Sequence, residues 1–205
     1  MLYFIITACI FNNCAVRKAQ YINALNQLNK VIYDLNIENY KIIIVENNGP
    51  RHTFLHELGC DVYYTDNNNL KQNNKGYNEL QHVLDCIDKY DIQDNDFIVK
   101  MTGRYILTDN SEFMNVIKNI HITNYSCVIR YGPYFKPVTY KIDYCITGLI
   151  GMSCIYVKQI EKPTECECVE WKWGKVTKLI DDKKICIVNT LGINICPGTN
   201  DYFMV

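Results

Sequence analysis

Features that mark several common classes of protein are missing from this chain of 205 residues. No stretch reaches the roughly 18 consecutive apolar residues of a membrane span. The net charge of −1 leaves no basic stripe of the kind that non-specific nucleic-acid binding requires. None of the eleven cysteines shares the Cys-x-x-Cys spacing of a zinc site. These absences predict no membrane span, no nucleic-acid partner and no zinc cluster.

The cysteines favour a reducing compartment. Their number is odd, and several stand inside apolar runs, where a free cysteine behaves as a small core hydrophobe. Residues 1–11 are apolar, but they lack a basic leader and are interrupted by Thr7, so they predict a first strand rather than a signal peptide. We expect a cytoplasmic location, which would be the host cytoplasm for a viral protein.

Apolar periodicity predicts alternating strands and helices in the first half of the chain. Strands are predicted at residues 3–8, 41–45, 61–64 and from 97 towards 103, and helices at 16–35, 53–58 and 76–89. This alternation is typical of an α/β fold with a mostly parallel sheet flanked by helices. The second half is less regular, with helices predicted at 111–120 and 169–180 and strands at 126–130, 149–157, 185–188 and 193–195. No linker interrupts the chain, which predicts one domain over residues 1–205.

The functional prediction starts from the stretch between Asp96 and Leu107. A buried strand leads into a turn that carries Lys100, Gly103 and Arg104. Ligands of α/β sheets bind at the carboxyl ends of the strands, so both cations are expected at a rim where an anion would bind. Arg104 could bind phosphate oxygens in a bidentate fork, Lys100 could act as a point charge, and Gly103 could let the backbone approach the ligand. The alternative is that both cations solvate the strand end or pair with nearby aspartates.

Three other polar loops are predicted at the same edge of the sheet, at residues 7–13, 46–50 and 65–76. Right-handed crossovers between parallel strands bring such loops together. Their common position favours a nucleotide site, with the diphosphate at residues 100–105.

Three motifs together resemble those of the family A (GT-A) glycosyltransferases. Residues 42–49 resemble the second-strand ending that holds the base or ribose of a nucleotide sugar, and residues 74–78 resemble the Asn-x-Gly stretch that opens the next helix. Residues 97–104 occupy the place of the family's Asp-x-Asp motif. The resemblance implies a nucleotide-sugar-binding half at about 1–108 and an acceptor half at about 109–205. It also implies sugar transfer from a nucleotide diphosphate donor, expected to be a uridine diphosphate (UDP) sugar, to a glycan or glycoprotein.

The chain departs from the family at its Asp-x-Asp motif, which usually binds a divalent metal that bridges the donor diphosphate. Here the residues are Lys100-Met101-Thr102-Gly103-Arg104, and Asp94-Asn95-Asp96 precedes the strand as an expected solvated turn. Either the cations replace the metal, or an ion such as Mn²⁺ is held elsewhere, or none is used. We predict that no metal is required. The Thr-Gly-Arg-Tyr turn resembles short enzymes of viral or bacterial surface-glycan assembly.

The resemblance and the loop positions together give the expected site residues. Donor-binding residues are Thr7, Ala8, Arg17, Glu46, Asn48, Lys75, Gly76, Asn78, Lys100, Thr102, Gly103 and Arg104. For Glu46 the alternative is a charge that stabilises the following helix, and for Lys75 it is a solvated surface lysine. For Thr7 and Ala8 the alternative is plain core.

An inverting enzyme also needs a carboxylate base beside the acceptor hydroxyl. Glu170 is the first candidate because it adjoins Trp171 and Trp173, which could stack on a sugar or simply pack, and Asp143 is the second. Glu165 and Glu167 are expected to be surface charges. The four histidines are scattered along the chain and are expected on the surface.

Two alternative functions remain open at this stage. A catalytically silent nucleotide- or glycan-binding module is compatible with the missing Asp-x-Asp. A sugar-phosphate nucleotidyltransferase is less favoured because it would need a glycine-rich signature after the first strand, and residues 7–14 contain no glycine.

Overall fold

The computed structural model describes residues 1–10, 15–69, 73–195 and 203–205, and it places the strands in two sheets. The strands are β1 (Leu2–Ala8), β2 (Tyr40–Glu46), β3 (Asp61–Tyr64), β4 (Phe97–Thr102), β5 (Ile106–Leu107), β6 (Cys127–Ile129), β7 (Leu149–Ser153), β8 (Ile185–Ile187), β9 (Ile193–Ile195) and β10 (Phe203–Met204). The helices are α1 (Ala15–Asp34), α2 (Lys75–Lys89), α3 (Glu112–Ile117), α4 (Cys154–Val157) and α5 (Val169–Val176). Short 3₁₀ turns connect several of these elements.

The larger sheet has seven strands in the order β3-β2-β1-β4-β7-β6-β8. The first four are mutually parallel, β7 runs antiparallel to both of its neighbours, and β6 and β8 are parallel. The predicted α/β fold with a mostly parallel sheet flanked by helices is therefore confirmed. The smaller sheet, β10-β9-β5, was not predicted from the sequence.

The two faces of the central sheet are buried under different helices. Side chains alternate across a strand, so Phe4 and Ile6 of β1 lie in the apolar cluster that includes α1, and Ile5 lies in the cluster that includes α2 and α5. The continuous apolar runs of β1, β2 and β4 follow from this burial on both faces.

The predicted strand at residues 149–157 is half wrong. The strand ends at Ser153, and the next four residues form α4. The turn before β4 explains the change, because the carbonyls of Asp96 and Asp94 accept hydrogen bonds from Cys154 N (2.9 Å) and Ile155 N (3.1 Å). This turn is also less solvated than expected, since Asp96 is buried and pairs with the Met1 amino group at 2.6 Å.

The polar turn predicted at Asn12 and Asn13 lies outside the described residues. Within the described ranges, no helix is both long and apolar enough to cross a bilayer, and the nine cysteines there are free thiols.

Candidate functional site

The carboxyl ends of the parallel strands meet along one edge of the central sheet, called here the carboxyl edge. Strand register pairs Thr7 with Thr102, Ala8 with Glu46, and Glu46 with Tyr64. The strand ends that the sequence assigned to a common edge are therefore neighbours.

Glu46 does not lie in an open loop, as expected, but is the fully buried last residue of β2. Its Oε1 accepts hydrogen bonds from Ile10 N (2.9 Å) and Asn48 Nδ2 (2.7 Å), and its Oε2 accepts one from Asn48 N (3.1 Å). Arg51 Nη1 lies 3.0 Å from Oε2, and Nη2 donates to Oε1 at 3.1 Å. Glu46 therefore ties the loops after β1 and β2 together.

The same network fixes Asn48 and depends on Arg51, which sequence reasoning did not identify. Asn68 Nδ2 donates to Asn48 Oδ1 at 2.7 Å, and Arg51 Nη2 donates to the Ile10 carbonyl at 2.9 Å. A signal for Arg51 was present, because a carboxylate at the end of an apolar strand needs a partner when it is buried. The loop is thus pre-shaped by side chains rather than left for a ligand to order.

Two arginines stand beside the end of β1, because Arg17 contacts the residue after β1 and Arg104 follows the neighbouring strand β4. Arg17 Nη1 lies 3.5 Å from the Cys9 carbonyl, and the Tyr21 hydroxyl accepts a hydrogen bond from Cys9 N at 2.9 Å. Burial raises the pKa of Tyr21, and the charges of Arg104 and Arg17 partly offset this rise. Both cations therefore lie within electrostatic range of one buried hydroxyl. Both of these predicted donor-binding residues therefore stand at the carboxyl edge.

Lys100 is not at the rim, as expected, but is buried to 1% exposure against α2. Its Nζ lies 2.6 Å from Glu79 Oε1, 2.6 Å from the Thr147 carbonyl and 3.2 Å from Thr102 Oγ1. Thr7 Oγ1 (2.9 Å) and Thr102 Oγ1 (3.3 Å) also donate to Glu79 Oε1. An ammonium has three protons, and all three have acceptors here, so Lys100 has none left for a phosphate.

Glu79 is a site residue that sequence reasoning missed. Burial alone would raise the pKa of its carboxyl, but the Lys100 charge and hydrogen bond outweigh burial and hold the pKa below its usual value. With 27% of its side chain exposed, Glu79 keeps an ionised carboxylate near the carboxyl edge.

His82, one turn along α2 from Glu79, is buried rather than on the surface as expected. Burial lowers the pKa of its imidazole to about 4. Within the part of the chain that the structure describes, its Nε2 has no hydrogen-bond partner.

The start of α2 is capped by the protein itself. Asn74 Oδ1 accepts hydrogen bonds from Gly76 N (2.9 Å) and Tyr77 N (3.2 Å), and its Nδ2 donates to the carbonyls of Thr164 (2.6 Å) and Glu167 (2.8 Å). Two of the backbone amides that were expected to favour an anion are therefore already satisfied.

Gly76 is required for packing at this position. A Cβ there would lie 2.7 Å from Val169 Cβ of α5, so the glycine lets α5 approach α2. Lys75 is exposed, in line with the alternative of a solvated lysine, and Asn78 is buried on the inner face of α2.

Gly103 also lies against protein rather than against an open surface. Its N–H donates to the Thr7 carbonyl at 3.0 Å, and an added Cβ would lie 2.9 Å from Tyr21 Cε1 and 3.0 Å from Ile6 Cγ2. The backbone approach that the sequence suggested is therefore an approach to β1 and α1. Ala8, likewise, is buried in the core.

Glu170 belongs to the second half of the chain. It lies in the first turn of α5 and is half-buried. Burial raises the pKa of Tyr134, and the charges of Glu170 and Glu79 raise it further, so both carboxylates lie within electrostatic range of one phenol. Next to Glu170, Trp171 is 47% exposed and packs edge-to-face on Tyr144 with ring centroids 6.0 Å apart. Glu170 and the exposed Trp171 are therefore consecutive residues of α5.

Asp143 is committed to another contact. Its Oδ1 lies 2.7 Å from Lys178 Nζ, and its backbone packs so closely on Gly174 that a Cβ there would clash with the Asp143 carbonyl oxygen. Trp173 is buried in the core, which leaves Trp171 as the indole that a sugar could reach.

The residues at the end of β4 do not suit a divalent metal. Glu79 is the carboxylate that pairs with Lys100, so its charge is already matched by the ammonium. Among the described residues, no three His, Cys, Asp or Glu side chains are grouped so as to hold a metal ion. Asp94 and Asp96 lie at the opposite end of β4 and bind Lys158 and the Met1 amino group.

Comparison with solved structures identifies the fold. One similar structure is a Bacillus anthracis protein named as a putative glucose-1-phosphate thymidylyltransferase and solved with sucrose. It superposes with a TM-score of 0.55 at 15% sequence identity, and the match covers 92% of this chain and 86% of that one. The mannosyltransferase PcManGT from Pyrobaculum calidifontis, solved with GDP-Man and Mn²⁺, gives 0.54 at 8% identity, covering 92% of this chain and 56% of that one. Mouse xyloside xylosyltransferase 1 gives 0.52 at 10% identity, with coverages of 92% and 85%.

These similarities show that the fold is GT-A-like. No protein-family model and no curated protein sequence matches the chain.

Proposed function

We propose that this chain is a glycosyltransferase that moves a sugar from a nucleotide diphosphate donor, a UDP sugar, to a hydroxyl of a glycan or glycoprotein. The observation that carries the proposal is the position of Arg17 and Arg104 at the carboxyl edge: Arg17 Nη1 lies 3.5 Å from the Cys9 carbonyl just after β1, and Arg104 follows β4, whose end pairs with that of β1. In an α/β sheet this edge is where ligands bind, and guanidinium groups suit the two phosphates of such a donor.

On the donor side, the Glu46 network would shape the loop that receives the nucleoside. Glu46 accepts hydrogen bonds from Ile10 N and Asn48 and pairs with Arg51, so its role is to hold the loop. Negative charge builds on the leaving phosphates as the glycosidic bond breaks, and preorganised cations at that place stabilise the transition state. Arg17 and Arg104 would supply this charge.

On the acceptor side, Glu170 would accept the proton of the attacking hydroxyl if the reaction inverts configuration. A positioned general base contributes about 10²–10⁴-fold to a rate. Trp171 and Tyr144 beside it would provide an aromatic surface for the apolar face of the acceptor sugar. Asp143 is the weaker candidate because Lys178 already binds it.

A metal is not part of this proposal. The charges at the end of β4 are Lys100 and Glu79, which neutralise each other, so the diphosphate would depend on the two arginines. The Thr-Gly-Arg-Tyr turn supports a role in viral or bacterial surface-glycan assembly in the cytoplasm.

A catalytically silent binding module is the second candidate. The observation that favours it is the position of Lys100, which stands where the family usually holds its metal. All three protons of its ammonium are bound by protein oxygens, so Lys100 cannot take the metal's place on a phosphate. A nucleotidyltransferase ranks third. It stays among the functions to be tested because the Bacillus anthracis protein, named as a thymidylyltransferase, has a similar fold.

One assay separates these functions. The chain is incubated with a panel of nucleotide sugars, with and without glycan acceptors, and nucleoside diphosphate and glycosylated product are measured. A glycosyltransferase releases nucleoside diphosphate and elongates the acceptor. A silent module binds donor without releasing diphosphate. A nucleotidyltransferase instead forms nucleotide sugar from sugar 1-phosphate and nucleoside triphosphate, with pyrophosphate as the second product.

A further inference from the structure

Three oxygen atoms from three parts of the chain surround the Lys100 ammonium. They are Glu79 Oε1 of α2 at 2.6 Å, Thr102 Oγ1 of β4 at 3.2 Å, and the Thr147 carbonyl before β7 at 2.6 Å. We call these three oxygens the oxygen cage. Lys100 is 1% exposed, so the ammonium lies within the protein and not at its surface.

The oxygen cage is a built site and not a chance contact. Lys100 stands in β4 between Val99 and Met101, whose side chains lie in the core on the other face of the sheet. Thr7 Oγ1 donates to the same Glu79 oxygen at 2.9 Å and holds the carboxylate in place from β1. A buried ammonium without such partners would be strongly destabilising, so its burial requires the cage.

The donor set of the oxygen cage is the kind that a free cation would choose. A carboxylate, a hydroxyl and a backbone carbonyl are the oxygen ligands that hard metal ions take in proteins. Here the cation is covalently attached to β4, and its charge repels a second cation at contact distance.

We infer that Lys100 is a tethered cation that fills the oxygen cage and excludes a divalent metal ion from the end of β4. Removing the side chain beyond Cβ while keeping Glu79, Thr102 and Thr147 should convert the oxygen cage into a site for a free cation. The oxygen cage does not depend on what the chain transfers, so its test requires neither donor nor acceptor.

The test compares Lys100→Ala with Lys100→Met. Lys100→Ala removes the atoms of a propylammonium group and leaves room for one, whereas Lys100→Met fills the space with an uncharged chain. Both variants should melt below the wild type. Added n-propylammonium should raise the melting temperature of Lys100→Ala by about 3–6 °C at tenfold excess over its Kd, rising further with the logarithm of its concentration, and leave that of Lys100→Met unchanged. Tetramethylammonium, which is too large, controls for ionic strength.

A second measurement uses the wild type and therefore stands even if Lys100→Ala does not fold. Mn²⁺ alone is titrated into wild-type protein and Glu79→Gln, and bound ion is counted by electron paramagnetic resonance. We expect no Mn²⁺ whose binding depends on Glu79. Stoichiometric Mn²⁺ binding to the wild type that is lost in Glu79→Gln would overturn the inference. An equal response of Lys100→Ala and Lys100→Met to propylammonium would overturn it as well.

Discussion

Arg51 contacts both carboxylate oxygens of the fully buried Glu46, at 3.0 Å from Oε2 and 3.1 Å from Oε1. Because Glu46 also accepts hydrogen bonds from Ile10 N and Asn48 N, this pair fixes two loops of the carboxyl edge at once.

The first prediction concerns this pair. Glu46→Ala should lower the free energy of unfolding by roughly 3 kcal/mol, near the low end for breaking a buried pair because Arg51 stays 34% exposed. The sequence placed Glu46 in a polar loop as a donor-binding residue, and its burial at the end of β2 makes a loss of stability the expected effect. Urea denaturation measures the loss. Asp61→Asn, which removes the exposed pair with Lys41, is the control and should cost below about 1 kcal/mol. Equal losses in the two variants would contradict the structural role.

The second prediction tests the two arginines at the carboxyl edge, Arg17 and Arg104. Arg104→Ala should lower turnover by roughly 10²–10³-fold, by analogy with the loss of one oxyanion donor. Arg104→Lys should recover little of this, because lysine cannot make a bidentate contact. Lys18→Ala, an exposed residue of α1 next to Arg17, is the matched control and should retain full turnover. Wild-type kinetics in Arg104→Ala would remove Arg104 from the site.

The third prediction concerns the base. If configuration inverts, Glu170→Gln should lower kcat by on the order of 10²-fold or more with little change in donor affinity. Steady-state kinetics and calorimetry of donor binding separate the two effects. Glu165→Gln, at an exposed position before α5, should behave as wild type. Near-normal turnover in Glu170→Gln would show that Glu170 is not the base and would leave Asp143 as the candidate.

The fourth prediction concerns metal. Turnover should be the same in EDTA as without it, because Lys100 already balances the charge of Glu79 at the end of β4. Added Mn²⁺ should bring no increase. If EDTA abolished turnover and Mn²⁺ restored it, an essential metal would have to be bound by other carboxylates.

The fifth prediction concerns pH. The pKa of buried His82 is about 4, below its ordinary 6.5, so the unfolded chain binds a proton that the folded chain does not. Stability from neutral His82 is complete above pH 6.5 and falls by about 3 kcal/mol as pH decreases to about 4. Denaturant melts at several pH values measure this slope. His82→Leu should flatten it between those limits, whereas His121→Leu, at an exposed position, should not.

The regular first half could be predicted closely from the sequence. The strand at 61–64 has its predicted bounds, and the bounds of β1, β2, α1 and α2 differ by one residue at most. Long apolar periodicity fixed these elements. Gly59 ends its short helix with a φ of 70°, as a C-cap glycine should. The two-residue strands β5 and β10 were missed because two residues carry no periodicity.

The pairing of charged residues inside the protein could not be predicted from local sequence patterns. Lys100 stands in a buried strand, which signals a buried partner, but the partner lies 21 positions earlier on α2. Glu79, His82, Val83 and Cys86 do share helical spacing and face inward together. The apolar residues of α2 dominated the prediction of its inner face, so its polar members were overlooked. Only the tertiary packing of α2 on β4 brings Glu79 to Lys100.

The contacts between the two halves, residues 1–108 and 109–205, have a consequence for protein engineering. β4 pairs with β7 along five residues, and Asn74 at the start of α2 donates to the carbonyls of Thr164 and Glu167. Cutting the chain near residue 108 would leave β4 as an exposed edge strand with unpaired backbone groups, which invites aggregation. The two halves are therefore not exchangeable cassettes. Grafting a different second half onto this first half would require a replacement that rebuilds both the β7 pairing and the contacts of Asn74.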